Sequence, residues 1–306
     1  MGAMQALKTL SEEIQEYKKQ KNALILAHYY QNLDVQKIAD FVGDSFELAK
    51  RAKVAGQPIV VFCGVRFMAE SAKILNPEKK VLLPVMHAGC PMADMIDAET
   101  VMAYRNEYLD AAVVCYVNSS AETKAVSDIC CTSSNAIRVV KSLPQKRIIF
   151  VPDKNLGAYV AGFVPEKEII CHRGFCPTHK NITVQEAKKA MQMHPGALFA
   201  CHPECEADVL KMADFIGSTS EILKFAKTSA HDEFIIGTEC GVCDRLREEE
   251  PEKRFYLLSP QLVCPNMKKT ELSDVLQVLK TEENEIIMTE EQIRAAYAPL
   301  ARMVEI

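Results

Sequence analysis

Ala39-Asp40-Phe41-Val42-Gly43-Asp44-Ser45 decides the fold, because the chain repeats its pattern twice. It returns as Ser127-Asp128-Ile129-Cys130-Cys131-Thr132-Ser133 and as Ala213-Asp214-Phe215-Ile216-Gly217-Ser218-Thr219. The aspartates Asp40, Asp128 and Asp214 stand 88 and 86 residues apart. Three Cys-Pro dipeptides, Cys90-Pro91, Cys176-Pro177 and Cys264-Pro265, keep the same period with spacings of 86 and 88, and no other cysteine precedes a proline. Two unrelated features on one period indicate three copies of a supersecondary unit of roughly 87 residues.

Around each aspartate the unit reads alike. An apolar run comes first, at Ala23–Ala27, Ala111–Cys115 and Ala197–Cys201. A helical pattern follows, as in Val35, Ile38, Ala39 and Val42 at i, i+3, i+4 and i+7. The aspartate run itself predicts a short second strand, and a helix is expected to start at the hydroxyl residue that ends it. Third runs are Ile59–Phe62, Arg147–Val151 and Glu233–Ile236; fourth runs are Val81–Leu83, Glu168–Cys171 and Phe255–Leu258. Strands alternating with helices predict an α/β protein of three pseudo-three-fold-related, three-layer α/β/α domains, each with a small parallel sheet. The first unit is placed at 1–88, the second at 89–175 and the third at 176–265, with 266–306 returning to the first. Leu7, Leu10, Ile14 and Tyr17 mark an opening helix; Leu272, Val275, Leu276 and Leu279 mark one near the end. Thr289 and Gln292 form a capping box before a last helix that Pro299 is expected to interrupt.

Composition narrows the function. The 306 residues are 48% hydrophobic and 25% charged, an ordinary globular balance. A net charge of −5 argues against a broad nucleic-acid or anionic-membrane face. No apolar run is long enough to span a bilayer, and no apolar signal core opens the chain. Twelve cysteines then point to a reducing, cytoplasmic compartment and to metal chemistry rather than a disulfide scaffold.

Units packed about a pseudo-three-fold axis bring equivalent positions to one centre. Twelve residues before the aspartates stand His28, Tyr116 and His202; ten before stand Tyr30, Asn118 and Glu204; five after stand Ser45, Ser133 and Thr219. All nine side chains are polar or amphipathic. The first two sets follow a strand end, where α/β ligands bind. The third sits at a helix start, which suits an N-cap and attracts carboxylate or phosphate. Singly, each has a bland reading as a cap or a satisfied core group; in register they indicate a site.

Cys90, Cys176 and Cys264 fall on the loops after the fourth strands, where three-fold packing makes them converge into a metal site. Cys-Pro is a recurrent context for iron–sulfur ligands. Three thiolates leave one iron of a 4Fe-4S cluster open as a Lewis acid. The plain alternative is three buried structural thiols. Cys240-Gly241-Val242-Cys243 has no counterpart in the other units and stays outside this logic, as a redox pair or half a zinc site. Cys63, Cys115, Cys130, Cys131 and Cys171 read as core, and His179, three residues after Cys176, is expected near the thiols. His87, His172, His194 and His231 read as structural or surface residues.

The motifs together resemble the quinolinate synthase family, over about residues 5–305. The resemblance rests on Ala27-His28-Tyr29-Tyr30-Gln31, Gly43-Asp44-Ser45, His87-Ala88-Gly89-Cys90-Pro91-Met92, Tyr116-Val117-Asn118 and Gly174-Phe175-Cys176-Pro177-Thr178-His179. It continues through His202-Pro203-Glu204-Cys205, Gly217-Ser218-Thr219 and Cys264-Pro265-Asn266-Met267. It implies condensation of iminoaspartate with dihydroxyacetone phosphate to quinolinate, phosphate and two waters, in NAD biosynthesis. It also implies a functional link to an L-aspartate oxidase or aspartate dehydrogenase, and no nucleic-acid or membrane partner. The family's cluster ligands fall on Cys90, Cys176 and Cys264, and its substrate contacts on the nine positions above. Some members carry the last ligand in a C-x-x-C-x-x-C run, whereas Cys264 lies 21 residues beyond Cys243.

On this basis Glu204 is expected to be the general base, its pKa raised by desolvation. Tyr30 and His28 are expected to donate and shuttle protons, with His202 assisting. Tyr116 and Asn118 would orient carboxylate and carbonyl groups. His202-Pro203-Glu204 with Cys240-x-x-Cys243 also approaches a zinc-deaminase signature, but Glu239 stands where that pattern needs proline. A non-catalytic iron–sulfur carrier would not require nine polar positions, and no phosphate-loop or dinucleotide glycine motif occurs.

Overall fold

The computed structural model describes residues 2–306, with side chains from Thr9 onward, so Leu7 lies outside the described side chains. Twelve strands form three four-stranded sheets. The first holds β1 (Ala23–His28), β2 (Phe41–Gly43), β3 (Ile59–Cys63) and β4 (Lys80–Leu82). The second holds β5 (Ala112–Tyr116), β6 (Ile129–Cys131), β7 (Arg147–Val151) and β8 (Glu168–Cys171). The third holds β9 (Leu198–Cys201), β10 (Phe215–Ile216), β11 (Glu233–Gly237) and β12 (Arg254–Leu257). Each sheet has the same order, β2-β1-β3-β4 and its equivalents. Every pairing within the sheets is parallel. The expected three α/β/α domains are thus present, each sheet flanked by helices.

The repeated aspartate has a structural cause. Asp40, Asp128 and Asp214 each donate their backbone N–H to the first strand, to Ile25, Val113 and Phe199 carbonyls, at 2.9, 3.0 and 2.8 Å. Each carboxylate then accepts the N–H of that same residue, at 2.8, 2.7 and 2.8 Å. The aspartate therefore starts the second strand in register with the first, closing both orphan groups at the strand edge. Central strands are covered on both faces and read as continuous apolar runs. Val113, Val114, Ile148, Ile149 and Phe150 are fully buried, and truncating such a residue to alanine costs about 2–5 kcal/mol.

The apolar faces of the two end helices meet. Leu10, Ile14 and Tyr17 pack with Leu272, Val275, Leu276 and Leu279 over the first sheet. Ile286 N–H bonds to the Val81 carbonyl beside β4. The last helix, Glu290–Glu305, instead lies across the seam between the first two units, against the helices Arg66–Leu75 and Ala121–Ala125 and strand β6. It also runs unbroken through Pro299, contrary to the expected interruption. Pro299 is buried along with Ala296, Leu300, Met303 and Val304, so packing outweighs the missing N–H bond. Among the described residues no helix is long and apolar enough to cross a membrane.

Candidate active site

The carboxyl ends of the three sheets face one cavity, the place where open α/β sheets bind their ligands. All nine repeat-selected positions line it: His28, Tyr116 and His202; Tyr30, Asn118 and Glu204; Ser45, Ser133 and Thr219. Cys90, Cys176 and Cys264 line it as well.

The helix starts differ from expectation. Ser45 is the first helical residue, and Asp44 is the cap, accepting from Phe46 and Glu47 N–H groups. In the third unit Ser218 caps and Thr219 is the first helical residue. In the second unit the helix begins only at Ala136, after Asn135, and Ser133 lies in the preceding turn. A cap must sit outside the helix with its side chain folded back on the N–H groups. In the first and third units the neighbouring residue takes that duty, so Ser45 and Thr219 do not cap; in the second, Asn135 makes no side-chain cap bond and Ser133 lies outside the helix start. Asp44 does more, because its second oxygen accepts from Ser134 Oγ at 2.6 Å and from Ser220 Oγ. One carboxylate of the first unit thereby joins all three.

Two imidazoles are held by one repeated device. The Tyr30 N–H donates to His28 Nδ1 at 3.1 Å, and the Glu204 N–H donates to His202 Nδ1 at 3.3 Å. Each ring carries its proton on Nε2 as a result. Burial pushes His28 down to about 4 and His202 down to about 3, so both are neutral at pH 7.

Glu204 is bound on both oxygens. Tyr116 donates its hydroxyl to Oε1 at 2.7 Å, and His179 Nδ1 lies 2.7 Å from Oε2. Burial alone would raise its pKa, as expected from the sequence. The adjacent His202 and His179, and the hydrogen bonds from His179 and Tyr116, reverse that and hold it down at about 2. His179 Nε2 meets Thr238 Oγ1 at 3.0 Å, Thr238 meets the Tyr30 hydroxyl at 2.9 Å, and Tyr30 meets Thr219 Oγ1 at 3.0 Å. Burial, then the Glu204 charge, pushes Tyr30 well above its ordinary range, so its hydroxyl keeps its proton. With Glu204 ionised and the His179 ring neutral, the chain runs in one direction: His179 donates to Glu204, Thr238 to His179, Tyr30 to Thr238 and Thr219 to Tyr30.

The thiols are free among the described residues. Burial pushes Cys90 up to about 12 and raises Cys176 and Cys264. The ligand atoms of Cys176, His179 and Glu204 lie within 4.8 Å of one another, close enough to share an ion. Cys240 and Cys243 do not line the cavity; their thiols face Glu239 and the Phe255 carbonyl. They are therefore not joined to His202 and Glu204 as a deaminase site would need. His179 lies beside the thiols as its spacing from Cys176 led one to expect, with Nδ1 3.3 Å from Cys176 Sγ. The structure also adds Thr238 and Asp44, to which the sequence reading gave no role in the site.

Residues 12–305 match the profile of the family described as Quinolinate synthetase A protein. The chain is 56% identical over 295 residues to a quinolinate synthase of Alkaliphilus metalliredigens, covering 96% of this chain and 97% of that one. It is 52% identical over 299 residues to a quinolinate synthase of Caldicellulosiruptor bescii, covering 98% and 99%. It is 50% identical over 297 residues to one of Clostridium kluyveri, covering 97% and 98%.

Proposed function

This chain belongs to the quinolinate synthase family, and on that premise we propose that it condenses iminoaspartate with dihydroxyacetone phosphate, giving quinolinate, phosphate and two waters. The observation that carries the reading is the single cavity in which three cysteines from three loops meet nine polar positions from three units. An aspartate oxidase or dehydrogenase would supply the imine.

The donor set fits a 4Fe-4S cluster. Three thiols line the cavity with no fourth cysteine, and a Cβ built at Gly89, beside Cys90, would meet nothing within 4 Å. Cys90, Cys176 and Cys264 would hold the cluster, which would supply one iron lacking a protein ligand as a Lewis acid for a substrate oxygen.

The chain's own residues bind and move protons. Ser45 and Ser133 offer hydroxyls to the substrate's carboxylates and phosphate, and Thr219 does so once substrate displaces its bond to Tyr30. These hydroxyls carry the anion recognition, since Asp44 and Ser218 already occupy amides of the first and third helices. Asn118 Oδ1 is buried with no protein partner, which leaves an acceptor for a substrate donor. His28 and His202 hold Nε2–H groups for substrate oxygens and orient them. Tyr30, a neutral phenol, is the proton donor at the leaving oxygen. Glu204 is the proton acceptor for carbon–carbon bond formation. Its low pKa in the free site has to rise first. Carboxylates of bound iminoaspartate raise it by like charge, and a substrate that takes over the Tyr116 hydroxyl removes a stabilising bond.

Anaerobic purification with iron and sulfide quantitation tests the reading. The wild type should carry the chromophore and make quinolinate from the two substrates. Replacing Cys90, Cys176 or Cys264 by serine should abolish both, while Cys240→Ser and Cys243→Ser keep the cluster. A full cluster in Cys264→Ser would reject that ligand set.

A further inference from the structure

The three thiol loops dock by one backbone bond, repeated. The N–H groups of Arg66, Lys154 and Cys240 donate to the carbonyls of Ala88, Gly174 and Leu262, each at 2.8 Å. Each donor follows a third strand, and each acceptor stands two residues before Cys90, Cys176 or Cys264. Gly174 permits the second contact, since a Cβ there would lie 2.6 Å from the Pro152 carbonyl.

Immediately before those donors stand Val65, Asp153 and Glu239, spaced by 88 and 86 on the period of the fold. Asp153 and Glu239 are fully buried. Each caps the following helix with one oxygen: Asp153 Oδ1 accepts from Leu156 N–H and Glu239 Oε2 from Gly241 N–H, both at 2.7 Å. With the other oxygen each reaches a cysteine: Asp153 Oδ2 accepts Cys176 N–H at 3.1 Å, and Glu239 Oε1 accepts Cys264 N–H at 3.2 Å. Lys268 adds a bond from Glu239 to the first unit, since its Nζ also donates to the Tyr30 carbonyl at 2.7 Å. Val65 can do neither, and the helix Arg66–Leu75 starts without a side-chain cap.

We propose that Asp153 and Glu239 are positioning residues that fix the backbones of Cys176 and Cys264, leaving the Cys90 loop, among the described residues, as the one thiol arm without a carboxylate anchor. The inference rests on the cluster reading above for its consequence, but its geometry concerns the metal-free chain. A carboxylate is required because both oxygens must accept, and an amide supplies only one acceptor.

Amide hydrogen exchange on metal-free protein tests it directly. Asp153→Ser keeps an N-cap acceptor but is too short to serve Cys176. Exchange around residues 174–177 should rise about tenfold, with the Cys90 loop and the rest of the second unit unchanged. Glu239→Gln should do the same around residues 262–265. In reconstituted protein both variants should lose iron to a chelator roughly fivefold faster or more, since a cluster held by looser thiol loops opens more readily. Wild-type exchange in both loops, or a rise spread evenly over the unit as a lost cap alone would give, overturns the proposal. Where Asp153→Ser does not fold, Asp153→Asn reads the same segment. A wild type without iron and sulfide would defeat the cluster reading, while the exchange result would still decide this one.

Discussion

The strand edges and the strand ends of this molecule repeat in different ways. At the edges the same residue recurs, Asp40, Asp128 and Asp214, and makes the same pair of bonds three times. At the ends the position recurs while the residue changes, from His28 to Tyr116 to His202 and from Tyr30 to Asn118 to Glu204. One geometric demand met three times selects one side chain. A cavity for unsymmetrical ligands selects side chains that differ between units, two kinds in the first set and three in the second. Along the strands, then, constant identity marks architecture and changing identity marks the site, while the constant cysteines of the loops stand apart as one side chain repeated around one cavity.

Substitutions at the two places should separate cleanly. Glu204→Gln should retain iron and sulfide and lower kcat by about 10²–10⁴, the range for a removed acid–base group. Steady-state turnover on anaerobically loaded enzyme measures this, and wild-type turnover would remove Glu204 from proton transfer. Asp128→Ala should do the reverse. It leaves the Val113 N–H without its acceptor and takes the ion pair from Arg105, which keeps the Val126 carbonyl, at about 1–3 kcal/mol. Urea unfolding should show that loss, with kcat and iron content per folded chain unchanged. A fall in kcat with unchanged stability would blur the distinction between edge and end.

What could be read from the sequence divides along the same line. The three units, their parallel sheets and the nine cavity positions follow from local spacing, because periodicity records which residues are equivalent. The state of Glu204 does not, since it depends on His179 from another loop and Tyr116 from another unit. Burial, the one influence visible in advance, has the opposite sign. The capping role of Asp44 and Ser218 was hidden for a smaller reason, a shift of one residue between cap and first helical position. Asp153 and Glu239 were legible on the period but share it with Val65, and a position acidic in two units and apolar in the third does not announce itself.

The smallest effect concerns the strand-end imidazoles. His28 in the folded chain titrates at about 4, below its ordinary 6.5, chiefly through burial. Above pH 6.5 both folded and unfolded states are neutral there, and the ring adds no pH dependence. As the pH falls below 6.5 the unfolded chain takes up a proton that the folded chain refuses, so stability is lost. The loss grows until about pH 4, where the folded ring protonates too. Between pH 8 and pH 5.5 His28 should therefore contribute a loss of about 1 kcal/mol. His28→Asn removes the titrating group, and its urea midpoint should fall less than that of the wild type over this interval. His202, held at about 3, should behave alike. Equal slopes for wild type and His28→Asn would mean that the ring is charged or exposed in the folded protein. The backbone N–H of Tyr30 would then have no acceptor at Nδ1, and the repeated device that orients both imidazoles would fail with it.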